Sequence, residues 1–219
     1  MRGSLLFDLD GTLTDPREGI VGSLRYALTE LGVPMPSDDE LSRFIGPPLH
    51  DSLRRYLGSA RARSLPRALE LYRERFASTG MFENRVYPGI PEALARLRSA
   101  GFTLWVVTSK PSVFAAPILE HFELTRYFEG VHGSELSGDR SDKGDLIAHV
   151  LRSERLLAEQ TTMVGDRKHD IVGARRNGVR AFGVLWGYGS RDELAAAGAD
   201  GLCENVGDLV RELTLELRA

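Results

Sequence analysis

Four short apolar runs, Leu5–Phe7, Thr103–Val107, Thr161–Val164 and Val179–Leu185, each give way to a stretch with helical spacing. Their hydrophobicity is continuous rather than alternating, which suits strands covered on both faces, as in a parallel sheet flanked by helices. The segments between them repeat apolar residues at the helical period: Ile90–Ala100 turns Leu94 and Leu97 inward, and Lys143–Leu151 turns in Leu146, Ile147 and Val150. Gly101, Gly178 and Gly207 read as helix stops or turns. Gly201–Cys203 supplies a fifth strand, and Val206–Leu217 a closing helix. The pattern predicts a doubly wound α/β fold with a mainly parallel sheet.

Between Asp15 and Val86 the rhythm changes. Helical patterning runs through Glu18–Leu31, Asp38–Phe44, Leu49–Leu57 and Leu65–Ser78 without a convincing strand, punctuated by Pro34, Pro36, Pro47 and Pro48. A helical block between the first strand and the rest of an α/β domain reads as an inserted subdomain, entered beside Asp10 and left near Pro88-Gly89. The expected division is therefore a core of residues 1–15 and 87–219 and an insert of residues 16–86.

Bulk properties exclude several function classes. A net charge near −3 gives no general field for nucleic acid or an anionic membrane. Any anionic ligand must be held by local cations or a metal. No apolar run approaches the ~20 residues that span a bilayer, and the start, Met-Arg-Gly-Ser, leads into a strand too short for a signal-peptide core. The single cysteine, Cys203, forms no internal disulfide and lies in the late strand, an unpromising place for a nucleophile. A cytoplasmic protein is the expectation.

The first apolar run ends in Asp8-Leu9-Asp10-Gly11-Thr12-Leu13-Thr14-Asp15. Two carboxylates crowded at a strand end repel each other unless a cation lies between them or one keeps a proton. At ordinary residue frequencies, Asp-x-Asp-Gly-Thr-x-x-Asp arises by chance in on the order of one in 10⁴ chains of this length. In open parallel sheets, ligands bind at the carboxyl ends of the strands. The first strand delivers Asp8 and Asp10 there, the second Thr108, Ser109 and Lys110, and the third Gly165 and Asp166, with Asp170 four residues on. Ser141-Asp142-Lys143 opens a helix, which puts Lys143 at a helix N-terminus. Taken singly, Thr108-Ser109 reads as a turn or cap, Lys143 as a solvated lysine, and Asp166 with Asp170 as a capping pair. Their joint order along the chain is what points to chemistry.

With those residues in that order, the sequence resembles the haloacid dehalogenase-like hydrolase superfamily over nearly its whole length. Asp8–Leu13 is similar to the first motif, Thr108-Ser109 to the second, Lys143 to the third, and Gly165-Asp166 with Asp170 to the fourth; the block at 16–86 resembles the helical cap inserted after the first motif. Phe44–Leu49 and Trp186–Gly189 are similar to the phosphoglycolate phosphatase-like branch. Pro16 departs from the serine common there, and Ser109-Lys110-Pro111 is similar to relatives named nucleotidases. The resemblance implies phosphate monoester hydrolysis through an aspartyl phosphate. Asp8 is the implied nucleophile, and Asp10 the implied proton donor to the leaving group. Mg2+ is implied on Asp8, Asp166 and the backbone carbonyl of Asp10, with Asp170 orienting water ligands. Lys143, the Thr108 or Ser109 hydroxyl and backbone N–H groups near Gly11 would bind the phosphoryl oxygens.

The expected partner is a small phosphorylated metabolite, either phosphoglycolate or a nucleoside monophosphate. Gly46, Pro47 and Arg54 of the insert are candidate substrate contacts; a helix breaker and a solvated arginine are the plain alternatives. His50 and His169 read as surface or supporting residues, and Trp186 and Tyr188 as packing and loop residues. A phosphosugar mutase of the β-phosphoglucomutase type and a non-catalytic module on the same core remain rivals, and the sequence does not distinguish a monomer from a dimer.

Overall fold

The computed structural model describes residues 3–215; residues 1, 2 and 216–219, and with them the end of the expected closing helix at Glu216 and Leu217, lie outside the described part. Contacts divide the chain into two units: residues up to Asp15 together with those from Val86 onward, and Pro16–Arg85. Val86 falls in the first unit rather than in the insert.

The chain enters on β1 (Ser4–Phe7), turns, and leaves the first unit through the two-residue strand β2 (Thr14–Asp15). The second unit is helical: α1 (Arg17–Glu30), α2 (Asp38–Ser42), α3 (Leu49–Leu57) and α4 (Leu65–Arg75), the last widening into a π-helical turn at Phe76–Gly80. Inside this unit α1 packs on α4, Tyr72 stacks on Phe76, and Arg75 pairs with Glu83 at 2.8 Å. Ser37 caps α2 by accepting from the Glu40 N–H, as the Ser-x-x-Glu spacing suggests. The chain returns through β3 (Arg85–Val86), a strand too short for any periodicity to announce.

The first unit then runs α5 (Ile90–Ser99), β4 (Thr103–Pro111), α6 (Ser112–His121), β5 (Gly130–Ser134), α7 (Lys143–Ser153), β6 (Thr161–Gly165), α8 (Lys168–Arg176), β7 (Arg180–Val184), α9 (Arg191–Ala196), β8 (Gly201–Cys203) and α10 (Val206–Leu215). Its sheet has six strands in the order β5-β4-β1-β6-β7-β8, each neighbouring pair parallel. The chain works outward from β1 to β4 and β5 on one side, then to β6, β7 and β8 on the other. That reversal opens a crevice beyond the carboxyl end of β1. Leu6 packs with Val107, Leu146, Ile147, Val150, Met163 and Ile171 under α7 and α8. Leu5 and Phe7 point to the opposite face by strand alternation and are equally buried.

Three sequence expectations are corrected. The sheet gains an edge strand, β5, that the apolar runs do not announce, because Gly-Val-His-Gly-Ser carries none. β4 continues past Val107 to Pro111, with a shift in its pairing to β5 between Thr108 and Pro111; Gly133 has no side chain to clash with the Lys110 carbonyl there. Gly207 is no stop: it lies in the first turn of α10, whereas Gly101 and Gly178 do end helices, with φ of 94° and 67°.

No helix among the described residues is long and apolar enough to cross a membrane. Leu146 is fully buried between sheet and helices. Leu146→Ala should therefore cost about 2–5 kcal/mol of unfolding free energy in urea titration; a cost under about 1 kcal/mol would contradict the packing described.

Candidate active site

β1 ends at Phe7, and the next residue, Asp8, is still held to the sheet by its N–H donating to the Val164 carbonyl at 2.9 Å. Facing it is Lys143, the first residue of α7, whose helix is capped by Asp142 accepting from the Asp145 N–H. The Lys143 side chain is buried and reaches three acceptors: Asp8 Oδ1 at 2.7 Å, Asp170 Oδ1 at 2.8 Å and the Val107 carbonyl at 2.9 Å. Close packing of α7 on α8 makes this reach possible, since a side chain at Gly173 would collide with Gly144 and Lys143. Burial disfavours the charged form of Lys143, yet Asp170 and Asp8 together hold its pKa above the ordinary lysine value. It is a permanent cation.

Asp170, in the first turn of α8, also accepts the Arg167 N–H at 3.1 Å, so both its oxygens are engaged. Asp166 lies at the end of β6. Its Oδ2 accepts the Tyr188 N–H at 2.7 Å, while its buried Oδ1 has no hydrogen-bond partner. Burial, and then the negative charges of Asp170 and Asp8, push the Asp166 carboxyl well above its usual value. Carboxylate oxygens of Asp8, Asp166 and Asp170 lie within 4.8 Å of one another.

Asp10 follows the turn. Its Oδ2 pairs with Lys110 at 2.8 Å, and its buried Oδ1 has no partner. Burial raises its pKa and Lys110 opposes the rise, with a net shift upward. Lys110, delivered to this edge by β4, has a buried side chain, and its ammonium pairs with Asp10. Gly11 takes φ of 90° in the turn, and a Cβ there would overlap Asp166.

The phosphate-cradle candidates are placed unequally. The Gly11 N–H donates to the Thr14 carbonyl at 2.7 Å and is thus engaged within the turn. The Ser109 hydroxyl donates to the Ser141 carbonyl at 3.1 Å, whereas the buried Thr108 hydroxyl accepts from the Lys110 N–H at 3.2 Å. Thr108 is the better-placed hydroxyl of the two, since its own proton is not used in that bond. In the second unit, Gly46 (φ of 99°) and Pro47 lie in the turn before α3, and Arg54 is exposed on α3, 3.3 Å from Asp51. His50 is exposed, and burial together with Arg167 and Lys168 lowers the pKa of half-buried His169. Cys203 is buried in β8, with its thiol pushed up to about 12 by burial and then Glu212 and Asp208, too high for a thiolate.

Four buried or nearly buried carboxylates, Asp8, Asp10, Asp166 and Asp170, thus face two ammonium groups, Lys110 and Lys143. Two negative charges are left over unless carboxyls hold protons. The donor set is all oxygen, and the unpartnered Asp166 Oδ1 adds to the deficit. A hard divalent cation fits both the charge and the chemistry.

The family model described as haloacid dehalogenase-like hydrolase matches residues 5–184. A 5'-nucleotidase of Pseudomonas aeruginosa is 53% identical over 88% of this chain and 87% of its own. The tyrosine-protein kinase PtkA of Mycobacterium tuberculosis is 42% identical over 86% of this chain, which spans 64% of that protein's length. A phosphoglycolate phosphatase of Vibrio parahaemolyticus is 28% identical over 94% of this chain and 93% of its own. Among solved structures, a predicted phosphatase from Clostridium acetobutylicum superposes with a TM-score of 0.93 at 41% identity, covering 99% of both chains.

The charge deficit has a measurable consequence. Without metal, burial and the neighbouring negative charges make folded Asp166 hold its proton to higher pH than an unfolded aspartate, which loses it near pH ~3.9. Stability therefore falls as pH rises from that value through the raised folded pKa. A cation displaces the proton, so the gain in thermal midpoint on adding Mg2+ should grow from about pH 5 to about pH 8. A gain that is flat or shrinks over that range would contradict the assignment.

Proposed function

The chain belongs to the haloacid dehalogenase-like hydrolase family, and from that premise and the site's geometry we propose that it is a Mg2+-dependent phosphatase cleaving nucleoside 5'-monophosphates through an aspartyl phosphate on Asp8. The phosphoric monoester hydrolase class follows from the family and its phosphatase-named relatives. The observation that carries the reading is the buried Lys143 bridge, which brings Asp8 and Asp170 to one ammonium beside Asp166.

Asp8, Asp166 and the Asp10 backbone carbonyl would hold the cation, with Asp170 behind them fixing Lys143. Bound there, Mg2+ supplies the positive charge that lets a carboxylate approach a phosphate dianion. An Asp8 carboxylate oxygen attacks phosphorus in line, and the bond from phosphorus to the ester oxygen breaks. Asp10 gives its proton to the departing alkoxide; burial favours the neutral form that can do so. Water then attacks the phosphoryl group, Asp10 takes the water's proton, and inorganic phosphate leaves with Asp8 restored. Lys143 and the Thr108 hydroxyl stabilise the equatorial oxygens, where charge spreads in the transition state.

Two things support nucleoside monophosphates as the substrate class: the 53% identity to a 5'-nucleotidase and the Ser109-Lys110-Pro111 sequence. Phosphoglycolate is the second reading, favoured by the Vibrio relative at lower identity over nearly the whole chain. Gly46, Pro47 and Arg54 are proposed as residues of the second unit that select between them. A cytoplasmic location suits the single free cysteine.

Phosphate release should be measured from a panel of nucleoside monophosphates, phosphoglycolate and p-nitrophenyl phosphate. The expected order places a nucleoside monophosphate first in kcat/KM; phosphoglycolate first would select the second reading. Asp8→Asn should reduce release to background for every substrate. Asp10→Asn should lose about 10²- to 10⁴-fold on alkyl phosphates and much less on p-nitrophenyl phosphate, whose leaving group needs no proton. Equal losses on both would remove Asp10 from its acid role.

A further inference from the structure

The segment Trp186–Gly189, between β7 and α9, has no role in the chemistry described above, yet it touches the acidic turn and Asp166 at several points. The Trp186 indole N–H donates to the Thr12 carbonyl at 3.0 Å. The Tyr188 N–H donates to Asp166 Oδ2 at 2.7 Å, and the Tyr188 hydroxyl donates to Asp15. Both glycines sit where nothing larger fits: a Cβ at Gly187 would overlap the Gly11 carbonyl and the Asp166 side chain, and one at Gly189 would overlap the Asp166 carbonyl. The segment thus grips the turn after β1 on one side and Asp166 on the other.

We propose that Trp186–Gly189 is a positioning clasp that sets the divalent-cation affinity of the site. It fixes Asp166 by one oxygen and leaves the other free for the ion. This rests on the proposed function in one respect, the assignment of Asp166 as a cation ligand. Asp166 carries two oxygens on a rotatable bond. With Oδ2 tied to the Tyr188 N–H, only Oδ1 remains, and it is the buried oxygen that lacks a partner. Trp186 fixes the same segment to Thr12, one residue beyond Gly11, so the spacing between the first acidic turn and Asp166 is set by the clasp as well as by the sheet. Groups that orient a metal ligand typically change metal affinity about 10- to 100-fold when lost.

The test uses the whole protein and Mg2+ alone, followed by calorimetric titration, with near-UV circular dichroism to establish folding. Asp166→Asn defines loss of a ligand. Gly187→Ala should weaken Mg2+ binding about 10- to 100-fold, and Trp186→Phe, which keeps the ring and removes only the N–H, should weaken it in the same direction. Tyr188→Phe, which keeps the backbone donor to Asp166 but removes the hydroxyl's bond to Asp15, should also weaken it in the same direction. In turnover, raising Mg2+ should restore kcat of the Trp186 and Gly187 variants; a merely structural defect would depress it at every Mg2+ concentration. If Gly187→Ala fails to fold, Trp186→Phe decides. Wild-type affinity in the folded clasp variants, beside lost binding in Asp166→Asn, overturns the clasp alone. Wild-type affinity in Asp166→Asn overturns the ligand assignment and the clasp with it.

Discussion

A single buried ammonium organises the site. Lys143 stands at the start of α7 and ties Asp8, just past the end of β1, to Asp170, in the first turn of α8, while also bonding the Val107 carbonyl of β4. Three separate stretches of chain are thereby fixed to one point at the carboxyl edge of the sheet. Removing one partner of such a buried pair costs roughly 3–5 kcal/mol, because the stranded charge has no water to turn to. The fold tolerates this cluster because α7 and α8 touch through Gly144 and Gly173, which lets a short lysine arm span the gap.

The same geometry explains why the cluster is incomplete without a ligand. Lys143 satisfies Asp8 and Asp170, Lys110 satisfies one oxygen of Asp10, and the Tyr188 N–H satisfies one oxygen of Asp166. The other oxygens of Asp10 and Asp166 are buried and unpartnered. An orphaned buried acceptor costs about 1–3 kcal/mol, so a cluster that holds two carboxylate oxygens in that state is arranged for a cationic ligand. A cation and a phosphoryl group answer that need together, one with positive charge and one with the reaction that uses it.

Much of this was legible in the sequence because function and topology share one rule. The apolar runs end at Phe7, Val107 and Val164, and the residues just beyond them, Asp8, Asp10, Thr108 and Asp166, lie at the same edge of the sheet as Lys143 at the start of α7. What escaped notice had no periodic signal. β5 is a glycine-rich edge strand that needs little hydrophobicity, because only part of it is covered. Lys110 was expected at the ligand edge of the sheet, but its pairing with Asp10 is tertiary. Trp186 and Tyr188 read as packing, and their grip on Thr12, Asp15 and Asp166 is tertiary. The glycines at 187 and 189 were the available hint, since two so near one aromatic mark a backbone pressed against something.

The central claim is that the phosphoryl group passes through Asp8. The direct measurement is a rapid acid quench of the enzyme during turnover, followed by peptide mass spectrometry. The account predicts a phosphoryl group on the peptide containing Asp8, appearing before free phosphate and absent from Asp8→Asn. Phosphate released in full with the Asp8 peptide unmodified, or a phosphoryl group captured on another residue, would contradict it.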